Sequence, residues 1–489
     1  MVRRAELLVV GFGRASGAAL ALISFVVLTR LLPPGEFALI ALLMAFSSFA
    51  GLVLLNPAGQ WVSRHIHEWH DRGLLADHFK DLLRLIALVA AVVGCFAAIW
   101  YLITTGAGLV GAMLVGVAVA ALIHFSTATL ACASALNSLG QRTSAVVWQL
   151  TMNALGLLFA AMFVQANAAA PYWLAGLALG AMPAFFGAGR KLKSVLRETL
   201  PADGRESVPR RAFVFQADFL TYAYPLAAVT VLLWLEGNGY RFVLERVWTA
   251  KDLGLFLMAL SVPAQLTAVL ESAVTQFAYP YFFRSLAGVS DKARMASLTS
   301  TMTSALLPLY WIWGSFLFVL APQFLYLVAG TDYHGAADWM VVGVVLEVAR
   351  LTGNAWLLSS QASKDYRPMA LPFAVGAAGS LLTCLLVALL DGPLVAVVAG
   401  LIAASLLKCA FIVVRARSML ALRVPLKRMA LAGLLLVTGF SVHGFSAINY
   451  GPGVSLAVLL SAGLAGVALG YFHLRTASDL HVLLGQKLG

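Results

Sequence analysis

Charge is what this 489-residue chain has least of. Asp, Glu, Lys and Arg make up 11% of it, against about 25% in a typical soluble domain. Hydrophobic residues make up 61%. So little charge excludes a soluble globule, and so much apolar content excludes a disordered chain. Cysteine is scarce as well. The four, Cys95, Cys132, Cys384 and Cys409, lie in apolar runs without redox or zinc spacing, so they read as small buried hydrophobes and exclude a disulfide-stapled module. There is no Walker loop to cradle a nucleotide and no Gly-x-Ser-x-Gly elbow. ATP-driven export and hydrolysis therefore have no support, and no cofactor is expected. No short apolar region with a small-residue cleavage site opens the chain, so the first apolar run reads as an uncleaved span.

Long apolar runs are what remains. A helical span needs about 20 apolar residues. The runs predict an all-α polytopic membrane protein with spans at 8–29, 37–57, 82–104, 109–132, 144–165, 171–189, 213–235, 254–277, 297–320, 337–358, 369–390, 393–414, 430–448 and 453–474. The net charge of +12 does not point to nucleic acid, because no basic domain or aromatic-interleaved basic stripe is present. One alternating set of loops, with its bordering residues, holds 26 of the 33 Lys and Arg; the other holds Arg30, Arg241, Arg246 and Lys251. The positive-inside rule then puts both termini in the cytoplasm. The outside loops are short. No paired carboxylates stand in them to hold a metal for glycosyl transfer.

The segment from Arg190 to Arg211 contains Pro201, Gly204 and Pro209 and reads as a linker. The expected organisation is a six-helix bundle over 1–190, a cytoplasmic linker over 191–212, a second bundle over 213–414, and two further helices with a tail over 415–489. The halves look alike: Glu36 in Pro34-Gly-Glu-Phe-Ala38 aligns with Asp252 in Lys251-Asp-Leu-Gly254. Parallel repeats of this kind form transporters with the substrate site between them.

The stretch Leu28-Thr-Arg-Leu-Leu-Pro-Pro-Gly-Glu-Phe-Ala-Leu39 resembles the first outside loop of polysaccharide-biosynthesis flippases. These are Wzx-type members of the multidrug/oligosaccharidyl-lipid/polysaccharide exporter superfamily. Pro33 stands where that family usually has Gly, and Ala38 where it has the final Gly. Asp252-Leu-Gly-Leu-Phe256 and Ala135-Leu-Asn-Ser-Leu-Gly-Gln-Arg142 are similar to its second-half loop and its inside turn. The resemblance covers about residues 5–415. It implies a V-shaped pair of bundles, alternating access and a bacterial inner-membrane location. It also implies a polyprenyl-pyrophosphate-linked oligosaccharide as substrate, with a polysaccharide polymerase and export machinery as partners.

Charges inside spans cost about 2.5–3.5 kcal/mol each at the helix centre, so they tend to face a cavity or a partner. They are Arg14, Asp218, Glu271, Glu347, Arg350 and Lys408. Glu347, Arg350 and Asn354 share one helix face at i, i+3 and i+7. This face reads either as a cavity wall where Arg350 meets anionic substrate, or as a structural ion pair. Arg14 is a second candidate for pyrophosphate, unless its span starts near Ala15 and it snorkels to headgroups. Lys408 allows the same two readings. Glu271 and Asp218 are candidates for ion coupling, or for interhelical hydrogen bonds. Gln149 and Asn153, at i and i+4, could hold sugar hydroxyls or glue helices together, as could His124, Ser126 and Thr127. His65, His67 and His70 do not converge as metal ligands need to, and no metal is expected. Two other functions fit this inventory less well: a cation-coupled multidrug exporter of the same superfamily, and an integral-membrane glycosyltransferase or ligase. The balance of three acids and three bases disfavours the first, and the short outside loops disfavour the second.

Overall fold

The computed structural model describes residues 4–198, 212–286, 289–424 and 426–476; the side chains of Arg4–Phe12, Arg14, Ala15, Glu198, Gln276, Phe277, Pro280 and Thr476 are also outside the description. The chain forms two compact units, Met1–Trp234 and Leu235–Gly489. In the first unit the α-helices are α1 Arg4–Leu31, α2 Pro34–Phe49, α3 Asn56–Asp71, α4 Leu75–Thr105, α5 Leu109–Ser138, α6 Arg142–Ala166, α7 Ala170–Glu198 and α8 Ala217–Trp234. In the second they are α9 Tyr240–Leu244, α10 Ala250–Phe277, α11 Tyr279–Leu286, α12 Lys292–Val328, α13 Met340–Ser363, α14 Ala370–Leu389, α15 Leu394–Met419, α16 Leu426–Ser446 and α17 Pro452–Thr476. Among the described residues, 13 helical stretches are long and apolar enough to cross a membrane, and α1 carries a shorter apolar stretch, Ser16–Leu31.

Many of the long helices bury one face and leave an apolar face open. On α4, Ile86, Ala90, Val93 and Ala97 are buried, while Leu88, Phe96 and Ile103 are exposed. An apolar belt this extensive has no counterpart on a soluble monomer. Hydrocarbon is the solvent that suits it, and helices suit hydrocarbon because they satisfy their own backbone groups. The chain is an all-α, multi-pass membrane protein.

Three spans differ from the hydropathy reading. The expected inside loop 58–81 is largely helix. α2 passes through a π-helical turn, Ala50–Leu55, into α3. The apolar run stops at Leu55, but Val62, Ile66 and Trp69 remain buried at helical spacing, which carries the helix on as an amphipathic one. The seventh span also continues beyond Leu235, through a second π turn, Leu235–Gly239, to Leu244. The sequence Glu-Gly-Asn-Gly there looks like a loop to hydropathy. The ninth is a 37-residue helix that tolerates Pro308 and Pro322 in its interior, as membrane helices can when neighbours satisfy the freed carbonyls. Of the expected linker, residues 191–198 continue α7, and 199–211 lie outside the described residues.

Polar contacts fix the helix ends. Glu36 accepts a 2.7 Å hydrogen bond from the Ala170 N–H and so caps α7 from 134 residues away. Asp252 acts locally instead: its N–H donates to Thr249 Oγ1, the side-chain N-cap of α10, and that hydroxyl donates back to its carboxylate at 2.6 Å. α6 and α7 cross closely at Gly180, where an added Cβ would lie 2.2 Å from the Gly156 backbone nitrogen. α16 and α17 both pack on α12. Polar bridges hold them there, among them His443 Nδ1, 3.0 Å from the Phe318 carbonyl oxygen, Ser455 Oγ, which donates to Gln323 Oε1 at 2.7 Å, and His473 Nε2, 3.0 Å from the Ala305 carbonyl oxygen.

Candidate functional site

The second unit assembles a charged cluster from two apolar helices. α13 supplies Glu347, Arg350 and Asn354 from one face, and α10 supplies Glu271. Arg350 closes its fork on Glu271, with Nη1 donating to Oε1 at 3.0 Å and Nη2 to Oε2 at 2.7 Å. It also donates to Glu347 Oε2, from Nε at 3.1 Å and from Nη2 at 2.7 Å. Asn354 Nδ2 donates to Glu271 Oε1 at 3.0 Å. The α13 face therefore holds an ion pair between adjacent turns, and Arg350 forms an interhelical one as well. The side chains are 38% exposed for Arg350, 27% for Glu271 and 13% for Glu347, so the cluster is sheltered but open on the arginine side. Two carboxylates against one guanidinium leave it one negative charge in excess.

Lys408 is elsewhere. Its ammonium donates to Glu236 Oε1 at 2.5 Å, and the side chains are 8% and 14% exposed. It does not snorkel. It reaches across to the π turn of the seventh span, and Gly376 of α14 makes the room. An added Cβ there would lie 2.9 Å from both Glu236 Oε2 and Lys408 Cδ. Sequence reasoning missed Glu236 because hydropathy put it in an outside loop. The signal that could have found it is Lys408 itself, a buried cation that needs an acid.

The remaining candidates sit in the first unit. Asp218 is exposed in the first turn of α8, Gln149 is half-buried on α6, and Asn153 is exposed one turn further on. Arg14 falls within α1, but its side chain lies outside the described residues. His124 packs edge-on against Phe125 and Phe185, and the Ser126 hydroxyl bonds to its own helix; these contacts serve packing. The second unit also holds two apolar cavities beside α12. One, of about 360 Å³, is lined by Trp311, Phe318, Leu436 and Phe440; the other, of about 540 Å³, by Leu309, Trp313, Val467 and Tyr471.

Comparison with known proteins gives two lines of support. Residues 209–338 match a family described as "Polysaccharide biosynthesis protein". A solved structure titled "Lipid II flippase MurJ, inward closed conformation" superimposes with a TM-score of 0.60 at 12% identity, covering 97% of this chain and 100% of that one. That likeness establishes the fold. An inward-facing multidrug resistance MATE family transporter of the MOP superfamily aligns with a TM-score of 0.46 at 12% identity, over 85% of this chain and 96% of that one. No curated protein matches the sequence. The family match agrees with the polysaccharide-biosynthesis side of the resemblance over residues 209–338, and the structural match agrees with the fold that the resemblance implies.

Proposed function

We propose that the chain is a flippase. It carries a polyprenyl-pyrophosphate-linked oligosaccharide from the cytoplasmic to the periplasmic leaflet of a bacterial inner membrane, with both termini cytoplasmic, by alternating access. The observation that carries this reading is the Arg350 cluster. A membrane helix keeps a guanidinium only where it has work or a partner, and this one has paired donors aimed at paired oxygens.

A pyrophosphate presents the same geometry as the Glu271 carboxylate and more charge, so it competes for the same fork. When it takes Arg350, Glu271 and Glu347 lose their counter-charge in a poorly solvated place. They then take up a proton or a small cation, because two adjacent bare carboxylates repel. Substrate release restores the ion pairs. Exchange of partners at one arginine thus couples substrate binding to cation uptake. Arg14 is a second candidate for the pyrophosphate, Gln149 and Asn153 for sugar hydroxyls, and Asp218 for a further coupling group. Lys408 stays with Glu236 and acts on substrate only if that pair opens. The apolar cavities along α12 suit an isoprenoid chain chemically. No bond is made or broken, and polymerisation and export belong to partner proteins downstream.

The excess carboxylate also fits a cation-coupled drug exporter of the same superfamily, and one experiment separates the two. In a strain lacking the protein, a polyprenyl-pyrophosphate oligosaccharide should accumulate in the inner leaflet, protected from added glycosidase. The intact gene should reverse this, and an Arg350→Ala copy of equal abundance should not. Unchanged lipids and surface polysaccharide would favour the exporter. Normal flipping by Arg350→Ala would remove Arg350 from the mechanism.

A further inference from the structure

The first unit contains a cavity, apolar over most of its lining but with polar side chains on α3 and α5, that the charged cluster does not involve. Its volume is about 590 Å³, within the usual range for small-molecule sites. Asn56, Gln60 and Ser63, at i, i+4 and i+7, line it from one face of α3, and Thr127 and Ser134, at i and i+7, line it from α5. Phe79 and Leu82 of α4 add an apolar wall. Arg64 is the charged residue of the lining, which contains no carboxylate among the described residues.

Two further observations show that this space is built. Gly51 and Gly59 both line it, and a Cβ added to either would meet no atom within 4 Å. A helical glycine costs about 1 kcal/mol relative to alanine. Unlike Gly180, neither of these offsets that cost by letting another helix approach. What they provide is room. The polar wall is also held in place from α8. Tyr222 Oη donates to Gln60 Oε1 at 2.8 Å, and Gln60 Nε2 donates to Asn56 Oδ1 at 3.2 Å. The Arg64 guanidinium lies over the Tyr222 ring, 4.7 Å from its centroid. Among the described residues no hydrogen-bond partner engages the Thr127 or Ser134 hydroxyl.

We propose that this cavity binds a phosphorylated saccharide, with the phosphate on Arg64 and the sugar hydroxyls on Asn56, Ser63, Thr127 and Ser134. A fixed guanidinium suits a phosphate. The hydroxyls and amides suit sugar hydroxyls, the apolar remainder, Phe79 and Leu82 included, suits the C–H face of a sugar ring, and the lack of carboxylates disfavours a cation. The choice of a saccharide rests on the flippase reading, whereas the cavity rests on geometry alone. The ligand is either the head of the transported lipid or a free sugar phosphate; the chemistry of the two is shared.

The test uses the purified full-length protein in phosphatidylcholine nanodiscs, free of sugar detergents. Equilibrium binding is measured for glucose 1-phosphate, glucose, inorganic phosphate, and the same sugar phosphate on a short polyprenyl chain. Glucose 1-phosphate should bind more tightly than either of its parts. Arg64→Gln should weaken it by about tenfold or more, the loss that goes with one charge-assisted hydrogen bond, and Gly59→Leu, which fills the cavity, should weaken it by steric exclusion. Gly463→Leu on α17, whose Cβ also meets nothing within 4 Å, should leave binding unchanged and controls for the added bulk. Competition by the polyprenyl probe assigns the site to the transported lipid; its absence assigns it to a free sugar phosphate. Equal binding of inorganic phosphate and glucose 1-phosphate, no binding, or binding undiminished in Gly59→Leu would overturn the proposal. Sugar-phosphate binding by a protein whose deletion causes no lipid accumulation would keep the cavity and discard the flippase reading.

Discussion

The Glu236–Lys408 pair gives the sharpest stability prediction. Both side chains are nearly buried, so neither charge has water to turn to when its partner is removed. Breaking a buried pair from one side costs about 3–5 kcal/mol, while replacing both partners with uncharged groups is often neutral. Lys408→Met leaves Glu236 bare beside the space at Gly376; Glu236→Gln leaves the ammonium with an amide. For a body of 150–250 residues each kcal/mol shifts Tm by about 2–4 °C, so each single variant should lose on the order of 10 °C. The double variant should return most of it. The protein carries its own probes, because Cys132 and Cys384 are buried and become available to a thiol-specific fluorophore on unfolding. If either single variant melts within a degree or two of the parent, or if the double is worse than both singles, the pair is not the buried, unsolvated contact described above.

Glu36→Ala should lower stability by about 0.5–2 kcal/mol, the usual worth of a helix cap, and should speed amide exchange at the start of α7; unchanged exchange at Ala170 would contradict the capping role. Gly180→Leu should prevent accumulation of folded protein, because its Cβ would collide with the Gly156 backbone, whereas the same change at open Gly189 should be tolerated; expression monitored by size-exclusion fluorescence decides between them. Glu347→Gln should preserve folding and alter the pH dependence of transport, since it removes one of the two carboxylates that share Arg350; an unchanged pH profile in vesicles would exclude Glu347 from coupling. Burial raises the Glu245 carboxyl above its ordinary value, and neighbouring Arg246 draws it back by less. A raised folded pKa means that the folded state binds the proton more tightly, so this group's contribution falls as pH rises through that value. Glu245→Gln should therefore melt higher than the parent at neutral pH, and the advantage should vanish at about pH 4, near the ordinary carboxylate value; an advantage that persists in acid would refute this.

The sequence was a good guide wherever one residue type answers to one solvent. Span positions followed from apolar runs, because hydrocarbon tolerates little else. The face shared by Glu347, Arg350 and Asn354 followed from helical spacing alone. Neither route could show that Glu271, 79 residues before Arg350, closes its fork, since nothing in local spacing pairs two helices. Hydropathy also failed beyond the first π turn and at the second, and for one reason. It averages polarity, whereas a helix is continued by its backbone bonds and by a single buried stripe. That is why α3 looked like a loop and Glu236 looked like an outside residue.

By itself, then, the sequence determined the solvent, the class of fold and the membrane charges that need partners, because each depends on composition within about one helix length. Only the tertiary structure decided who the partners are: Glu271 with Arg350, Glu236 with Lys408, Glu36 with the start of α7. It also decided which glycines permit contact, as at Gly180, and which leave space, as at Gly59. These are distances between segments far apart in the chain. They are fixed by how whole helices pack, and a linear pattern does not carry that information.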